Sequence, residues 1–247
     1  MLRLLTRPSS TLVRKNLLNP PTFTLTRTMS SANPSVRSND ELKASNLFNV
    51  SNLNAVVTGG GTGIGLMITQ ALASNGAKVY ITGRRKDALN KVVEQYGGGP
   101  GKIVALPGDI SSKDEVKRLM NEVAKKESKG IHLLVNNAGI ARDDNTGFSK
   151  AGKPDSTSAQ AISDHLMQSE PEQWAETLQT NLTAQFFMTA AFLPLLAKGR
   201  DVTPGYTSSV VNIASISGVM KGSSSGQFAY ATSKAGPCST IRNQSWI

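Results

Sequence analysis

Apolar residues are concentrated in short unbroken runs, separated by longer stretches in which they recur with helical spacing. The runs lie near 53–58, 77–82, 102–107, 131–136 and 208–213, as in Val79-Tyr80-Ile81 and Leu133-Leu134-Val135. Strands that are apolar at successive rather than alternate positions are covered on both faces, the condition of a parallel sheet. Stretches near 63–75, 84–96, 111–127 and 171–197 read as helices between them. The alternation predicts an α/β domain, a doubly wound parallel sheet with helices on both faces, built from right-handed βαβ units. Glu170-Pro171 marks the start of the long helix, because proline suits a first helical turn. A shorter helix is expected through Ala161 to Gln168.

Composition narrows the class. The 247 residues are 38% apolar, enough for a core. No apolar run approaches the roughly 18 residues that a membrane span requires, so no span is expected. The single cysteine, Cys238, excludes an internal disulfide, and two distant histidines, His132 and His165, give no metal cluster. His132 opens a strand and is expected to be structural.

The net charge of +10 is unevenly spread. Arg3, Arg7, Arg14, Lys15, Arg27 and Arg37 stand in residues 1–39, which contain no acid. A Ser/Thr-rich, Arg-rich, acid-poor start of amphipathic character reads as a mitochondrial transit peptide. Pro8 would interrupt its helix, and the other readings are a disordered basic extension or an internal start at Met29 that gives a cytoplasmic form. Residues 1–40 are therefore set apart from the fold, which is assigned to 41–247. With the basic excess in this tail and no aromatics interleaved, no nucleic-acid partner is expected.

The most informative motif is Thr58-Gly59-Gly60-Gly61-Thr62-Gly63-Ile64-Gly65, after the run Leu53–Val57 and before Leu66–Ala73. In the order strand, glycine turn, helix, such a string lets backbone approach a pyrophosphate and offers it the unpaired N–H groups of a helix N-terminus. It predicts dinucleotide binding. Tyr230 and Lys234 are four apart, on one helical face, where an ammonium favours the ionised form of a phenol.

Taken with Asn136-Asn137-Ala138-Gly139 at a strand end, Asn181 in Thr180-Asn181-Leu182, and Ser215 fifteen residues before Tyr230, this order resembles the classical short-chain dehydrogenase/reductase family over roughly Leu53–Ala235. Within that family it is most similar to the 3-oxoacyl-carrier-protein reductase branch. The resemblance implies a Rossmann-type sheet and a small-molecule carbonyl or alcohol substrate. It implies Tyr230 as proton donor, Lys234 as the residue that holds the nicotinamide ribose, Ser215 as a donor to the substrate oxygen and Asn181 as a water anchor. Cofactor contacts are implied for Thr58, Gly59, Gly61, Thr62, Gly63, Ile64, Gly65, Asp109, Ile110, Asn137, Ala138 and Gly139, besides Tyr230 and Lys234.

The choice of cofactor is read after the second strand, where an NAD site would carry an acid for the ribose 2′-hydroxyl. Gly83-Arg84-Arg85-Lys86 stands there instead. Guanidiniums pair with a 2′-phosphate, so NADP(H) is expected, with Arg84 and Arg85 as its contacts. The other reading makes Arg85 and Lys86 a solvated helix start. Asp109, followed by Ser111 and Ser112, could equally be a helix cap.

After Lys234 the pattern departs from the family. Gly236-Pro237 is expected to end the helix, since an interior proline costs about 3 kcal/mol. Complete classical members continue with a longer helix and two further strands. The expectation is therefore a truncated product that lacks C-terminal strands: a ketone reductase or, alternatively, a poorly active cofactor-binding or regulatory chain. The long helix near 171–197 is the expected surface for homo-oligomers. The stretch between Gly139 and Asn181 reads as a surface insertion, either looped out or lining the substrate mouth.

Overall fold

The computed structural model describes residues 39–147, 149–203, 206–221 and 224–240. The basic segment read as a transit peptide lies outside these residues, apart from Asn39 and Asp40. Asn39–Leu42 form a short 3-10 turn. A compact unit begins at Lys43.

Five strands, β1 (Asn54–Thr58), β2 (Lys78–Gly83), β3 (Lys102–Pro107), β4 (Leu133–Asn136) and β5 (Ser209–Asn212), form one sheet in the order β3-β2-β1-β4-β5. Every pairing is parallel. The helices are α1 (Ala44–Leu47), α2 (Gly63–Ser74), α3 (Lys86–Tyr96), α4 (Lys113–Lys126), α5 (Ala159–Leu166), α6 (Pro171–Leu178), α7 (Ala184–Val202) and α8 (Phe228–Thr240).

Side-chain alternation along the strands explains the two-sided core. Val56, Tyr80 and Leu134 point to one face, where Val116, Leu119 and Val123 of α4 and Met188, Phe192 and Leu195 of α7 cover them. Ala55, Val57, Val79, Ile81 and Val135 point to the other, against Ala73 of α2 and Leu89 and Val92 of α3. In the inner strands β1, β2 and β4, successive residues are therefore buried on both faces, as the unbroken apolar runs require, while the outer strands β3 and β5 are covered less completely.

Two expectations are corrected and a third is qualified. The long helix is not uniform: Gln179–Thr183 form a π-helical turn between α6 and α7, and α7 runs on to Val202. Within the continuous stretch Pro171–Val202, an 18-residue window reaches a mean hydropathy of 1.2, enough to cross a membrane by length and composition alone. Its inward residues Met188, Phe192, Leu195 and Leu196 are in the core beneath the sheet. Finally, α8 does not stop at Gly236-Pro237 but continues to Thr240. A Cβ on Gly236 would lie 2.5 Å from Leu182 Cδ1, so this glycine admits α8 against Leu182 instead of ending it. Pro237 is buried and lines a cavity together with Leu182, Phe186 and Phe187.

The amino-terminal end of the sheet is fastened by polar side chains. Glu127 accepts from the Tyr80 hydroxyl (2.5 Å) and from Asn54 Nδ2 (2.9 Å), and it pairs with Lys78. Burial, reinforced by Glu127, pushes the Tyr80 phenol well above its usual range. His132 Nδ1 accepts from the Asn54 backbone N–H at 3.0 Å, and Nε2 lies 2.8 Å from Thr203 Oγ1. The histidine is structural, as expected.

Candidate active site

At the opposite, carboxyl end, β1 and β4 are neighbours whose chains then leave in different directions, which opens a crevice between them. A cleft of about 210 Å³ occupies it. The glycine turn forms its floor. Gly59 has φ +67°, a left-handed conformation that β1 needs in order to turn into α2. A Cβ on Gly65 would fall 2.2 Å from the Gly59 carbonyl oxygen, so only glycine lets the first turn of α2 lie against the strand end. Thr62, at the N-cap, makes no side-chain cap, which leaves the first N–H groups of α2 without that partner.

Thr58 was expected among the cofactor contacts, but its hydroxyl is turned inward. Fully buried, it accepts from the N–H groups of Asn137 (2.9 Å) and Ala138 (3.0 Å), while Asn137 Nδ2 donates to the Thr58 carbonyl at 2.8 Å. Thr58 and Asn137 thus tie β1 to β4 and shape the cleft from beneath. The Ile64 side chain is exposed on the first turn of α2.

Gly59, Gly61, Thr62, Ala138 and Gly139 line the cleft, as do Asp109 and Ile110 from the end of β3. Arg84 and Arg85 stand exposed at its rim. Arg85 is the N-cap residue of α3 and donates to Thr62 Oγ1 at 3.4 Å, so it leans over the cleft. Asp109 is not the cap of α4. Its Oδ1 accepts from the backbone N–H and hydroxyl of Ser111, and Ser112 caps the helix through Glu115 N. Thr82, Ile140 and Thr180 also line the cleft and were not anticipated. The buried Thr82 hydroxyl has no partner among the described residues.

Asn181, Ser215, Tyr230 and Lys234 form a second group beyond Gly139. A Cβ on Gly139 would lie 3.2 Å from Asn181 Oδ1 and 3.4 Å from Lys234 Nζ, so the cleft wall, the asparagine and the lysine meet at this residue. Asn181 sits in the π turn, which breaks the helical register and directs its carboxamide inward. Wholly buried, it accepts from Ile140 N–H (2.8 Å) and donates to Ile140 C=O (2.8 Å) and to Ser233 Oγ (2.9 Å).

Lys234 is only 3% exposed and donates to the Ile213 carbonyl at 2.8 Å. Burial lowers its pKa from the ordinary lysine value. Tyr230 is one turn earlier on α8, with Lys234 Nζ 5.8 Å from its ring centre. Ser215 starts the 3-10 turn Ile216–Gly218, and its Oγ accepts from Ser217 N–H at 3.2 Å. A Cβ on Gly218 would lie 2.5 Å from the Lys234 carbonyl carbon, so the Ser215 turn is seated directly on α8 at the lysine.

One residue of this region had no signal in the sequence. Asp143 accepts through its two carboxylate oxygens from the N–H groups of Ala229 (2.8 Å) and Tyr230 (3.2 Å). The segment read as an insertion is thus attached to the helix that carries Tyr230. Among the described residues, no group of His, Cys, Asp and Glu could hold a metal ion.

The arrangement can cradle a phosphate-bearing ligand and place an acid–base pair beside it, and similarity to other chains agrees. The family model for short chain dehydrogenases matches residues 53–244. A short-chain dehydrogenase/reductase of Diaporthe leptostromiformis is 42% identical over 194 residues, which is 78% of this chain and 64% of that relative. The chain therefore spans just under two thirds of that relative's length. Among solved structures, the Pseudomonas aeruginosa RhlG/NADP active-site complex is 28% identical with a TM-score of 0.61, covering 79% of this chain and 67% of that one. A 3-oxoacyl-[acyl-carrier protein] reductase from Brucella melitensis in complex with NAD is 27% identical with a TM-score of 0.61, covering 77% and 66%.

Proposed function

The chain belongs to the short-chain dehydrogenase family, and from that premise we propose that it is an NADPH-dependent oxidoreductase that reduces a ketone of the 3-oxoacyl type to a secondary alcohol. The meeting of Asn181, Lys234 and the cleft wall at Gly139 carries this reading, because it joins a nucleotide-sized crevice to a proton donor's helix.

The donor set fits a nicotinamide dinucleotide. Gly59 and Gly65 make a cradle that any Cβ at 65 would fill, and Thr62 and the N-terminus of α2 offer donors for a pyrophosphate. Arg84 and Arg85 suit a 2′-phosphate, and among the cleft-lining residues Asp109 is the one carboxylate, already bonded to Ser111. Bound there, the cofactor supplies a hydride to the substrate carbon.

The chain's own groups handle the proton and the developing charge. Tyr230 gives its phenolic proton to the alkoxide oxygen. Ser215 donates a hydrogen bond to the same oxygen, the kind of preorganised contact that stabilises charge as it forms. Lys234, held by Ile213, keeps a cation beside the phenol in a place where burial makes its proton easier to release. Asn181 fixes the Ile140 backbone next to the lysine and orients the proton path. The alternative of a cofactor-binding chain without turnover gains no support from this site, where all four groups stand on regular elements or their caps.

The test is reduction of a 3-oxoacyl thioester by the purified chain, followed by loss of NADPH absorbance. Tyr230→Phe is expected to lower kcat by about 10²–10⁴-fold, the usual worth of a positioned acid. Wild-type turnover with NADH but none with NADPH would refute the cofactor assignment.

We also propose that residues 1–40 are a mitochondrial transit peptide and 41–247 the catalytic unit. A reporter carrying residues 1–40 that stays in the cytoplasm would refute this.

A further inference from the structure

The three consecutive residues Arg142, Asp143 and Asp144 fasten one loop to two helices. Arg142 Nε donates to Glu176 at 3.1 Å, and Gln173 Nε2 donates to Asp144 at 3.1 Å, both on α6. Two positions earlier, Ile140 is held in both directions by Asn181. Asp143 alone faces the other way, toward α8, with one carboxylate oxygen on each of two successive N–H groups.

Those two N–H groups are the ones a helix cap satisfies. The first turn of α8 leaves its leading donors without partners inside the helix, and a short polar side chain at the residue before it is the usual remedy. That residue is Gln227, whose longer side chain is not a favoured cap. The cap comes instead from 86 residues away in sequence. A second bond, Gly147 N–H to the Ser225 carbonyl at 2.7 Å, joins the same loop to the segment leading into α8. Ser224 and Ser225 there have φ of 50° and 60°, and Gly226 has φ of 94°, a run of left-handed residues that a chain adopts at a cost. A local cap would secure the helix; only a distant one also fixes where the helix sits.

We infer that Asp143 is a positioning residue: by holding the backbone N–H of Tyr230 itself, it sets the place of the phenol relative to the Asn181–Lys234 group. This rests on the proposed reductase reading for its effect on rate, but not for its effect on the position of Tyr230. The claim predicts that capping and placement are separable, because a cap at 227 restores the first without the second.

The experiment compares the full chain with Asp143→Ala, Asp143→Asn and the double variant Asp143→Ala, Gln227→Asp. Ketone kcat and KM, NADPH affinity by fluorescence, melting temperature and the Tyr230 ring resonance in isotope-labelled tyrosine are recorded for each. Asp143→Ala is expected to lower kcat about tenfold to a hundredfold through misplacement of the acid, with KM and NADPH affinity within about twofold. Its Tyr230 resonance shifts or broadens. Asp143→Asn keeps one acceptor oxygen for two N–H groups and turns a donor amide toward the other, so its kcat and its resonance are expected to fall between those of wild type and Asp143→Ala. The double variant regains melting temperature but neither kcat nor the resonance. Wild-type kcat and resonance in Asp143→Ala would overturn the inference, and so would their full recovery in the double variant. Should Asp143→Ala not fold, the double variant against Gln227→Asp alone carries the same comparison. If the wild type reduces no ketone while the resonance still responds to Asp143→Ala and not to Gln227→Asp alone, the reductase reading fails and the positioning role stands.

Discussion

Asn181 and Ile140 hold one another through two hydrogen bonds of 2.8 Å, the carboxamide pairing with both the N–H and the C=O of a single backbone residue. No shorter or acidic side chain reproduces this. Asn181→Ala leaves both Ile140 groups without their partner, at about 2–3 kcal/mol of stability. Asn181→Asp keeps the acceptor but loses the donor to Ile140 C=O. Urea unfolding should rank wild type above Asp and Asp above Ala, with turnover depressed in both variants.

On the proposed NADPH reading, Arg84 and Arg85 at the rim of the cleft govern the choice between cofactors. Replacement of Arg84 by Glu removes a charge-assisted contact to the 2′-phosphate and adds a repulsive one. A charge-assisted hydrogen bond is worth about 1.5–3 kcal/mol, or roughly tenfold to a hundredfold in affinity. NADPH affinity of Arg84→Glu should fall by that factor, while NADH affinity stays level or rises. Parallel binding titrations of the two cofactors check this, and Arg85→Ala should show the same trend more weakly.

The glycines of the turn are not equivalent. At Gly65 an added methyl would meet the Gly59 carbonyl oxygen at 2.2 Å and Asn137 Nδ2 at 2.4 Å, a side chain itself fixed by its bond to the Thr58 carbonyl. Gly63 has open space around its Cβ position, and its φ of +56° imposes only the left-handed penalty of about 1–2 kcal/mol. Gly65→Ala should therefore abolish cofactor binding or folding, whereas Gly63→Ala should remain folded with reduced affinity. Circular dichroism and NADPH titration distinguish the two.

His132 gives the fold a dependence on mild acid. Burial lowers its pKa below the ordinary value of 6.5, and Glu127 opposes this only in part. Because Nδ1 accepts from Asn54 N–H, protonation there breaks a backbone contact to β1. The unfolded chain binds this proton more tightly, so the histidine's contribution is full above about pH 6.5 and is lost as pH falls through the lower folded value. Unfolding free energy should fall from pH 7.5 toward 5, and His132→Asn should flatten that slope; an equal slope in both chains would refute the assignment.

Much of this architecture is readable from local pattern. Strands buried on both faces announce themselves as unbroken apolar runs, and Gly59–Gly65 is contiguous, so its turn and its ligand class are legible together. The tandem Tyr230 and Lys234 are legible for the same reason. What is hidden depends on distance or on packing. The π turn leaves the apolar spacing of 171–197 almost unchanged, so only the direction of the Asn181 carboxamide reveals it. Thr58 stands in a cofactor motif, yet its hydroxyl serves the junction with β4, a role that needs residues 79 and 80 positions away. Gly236-Pro237 has the composition of a helix stop, and burial beside Leu182 overrides it. Asp143 is one acid in a polar loop until the fold brings it to α8.

The fastening around Glu127 lies at the amino ends of the strands, and the cleft lies at their carboxyl ends. Among the described residues, Tyr80, Asn54, Lys78 and His132 thus anchor the sheet through partners at its amino end, apart from the glycine turn. The scaffold is divided like a vice and its jaws: substitutions around Glu127 are expected to loosen the whole sheet, whereas substitutions along the cleft change what is gripped while the screw stays tight.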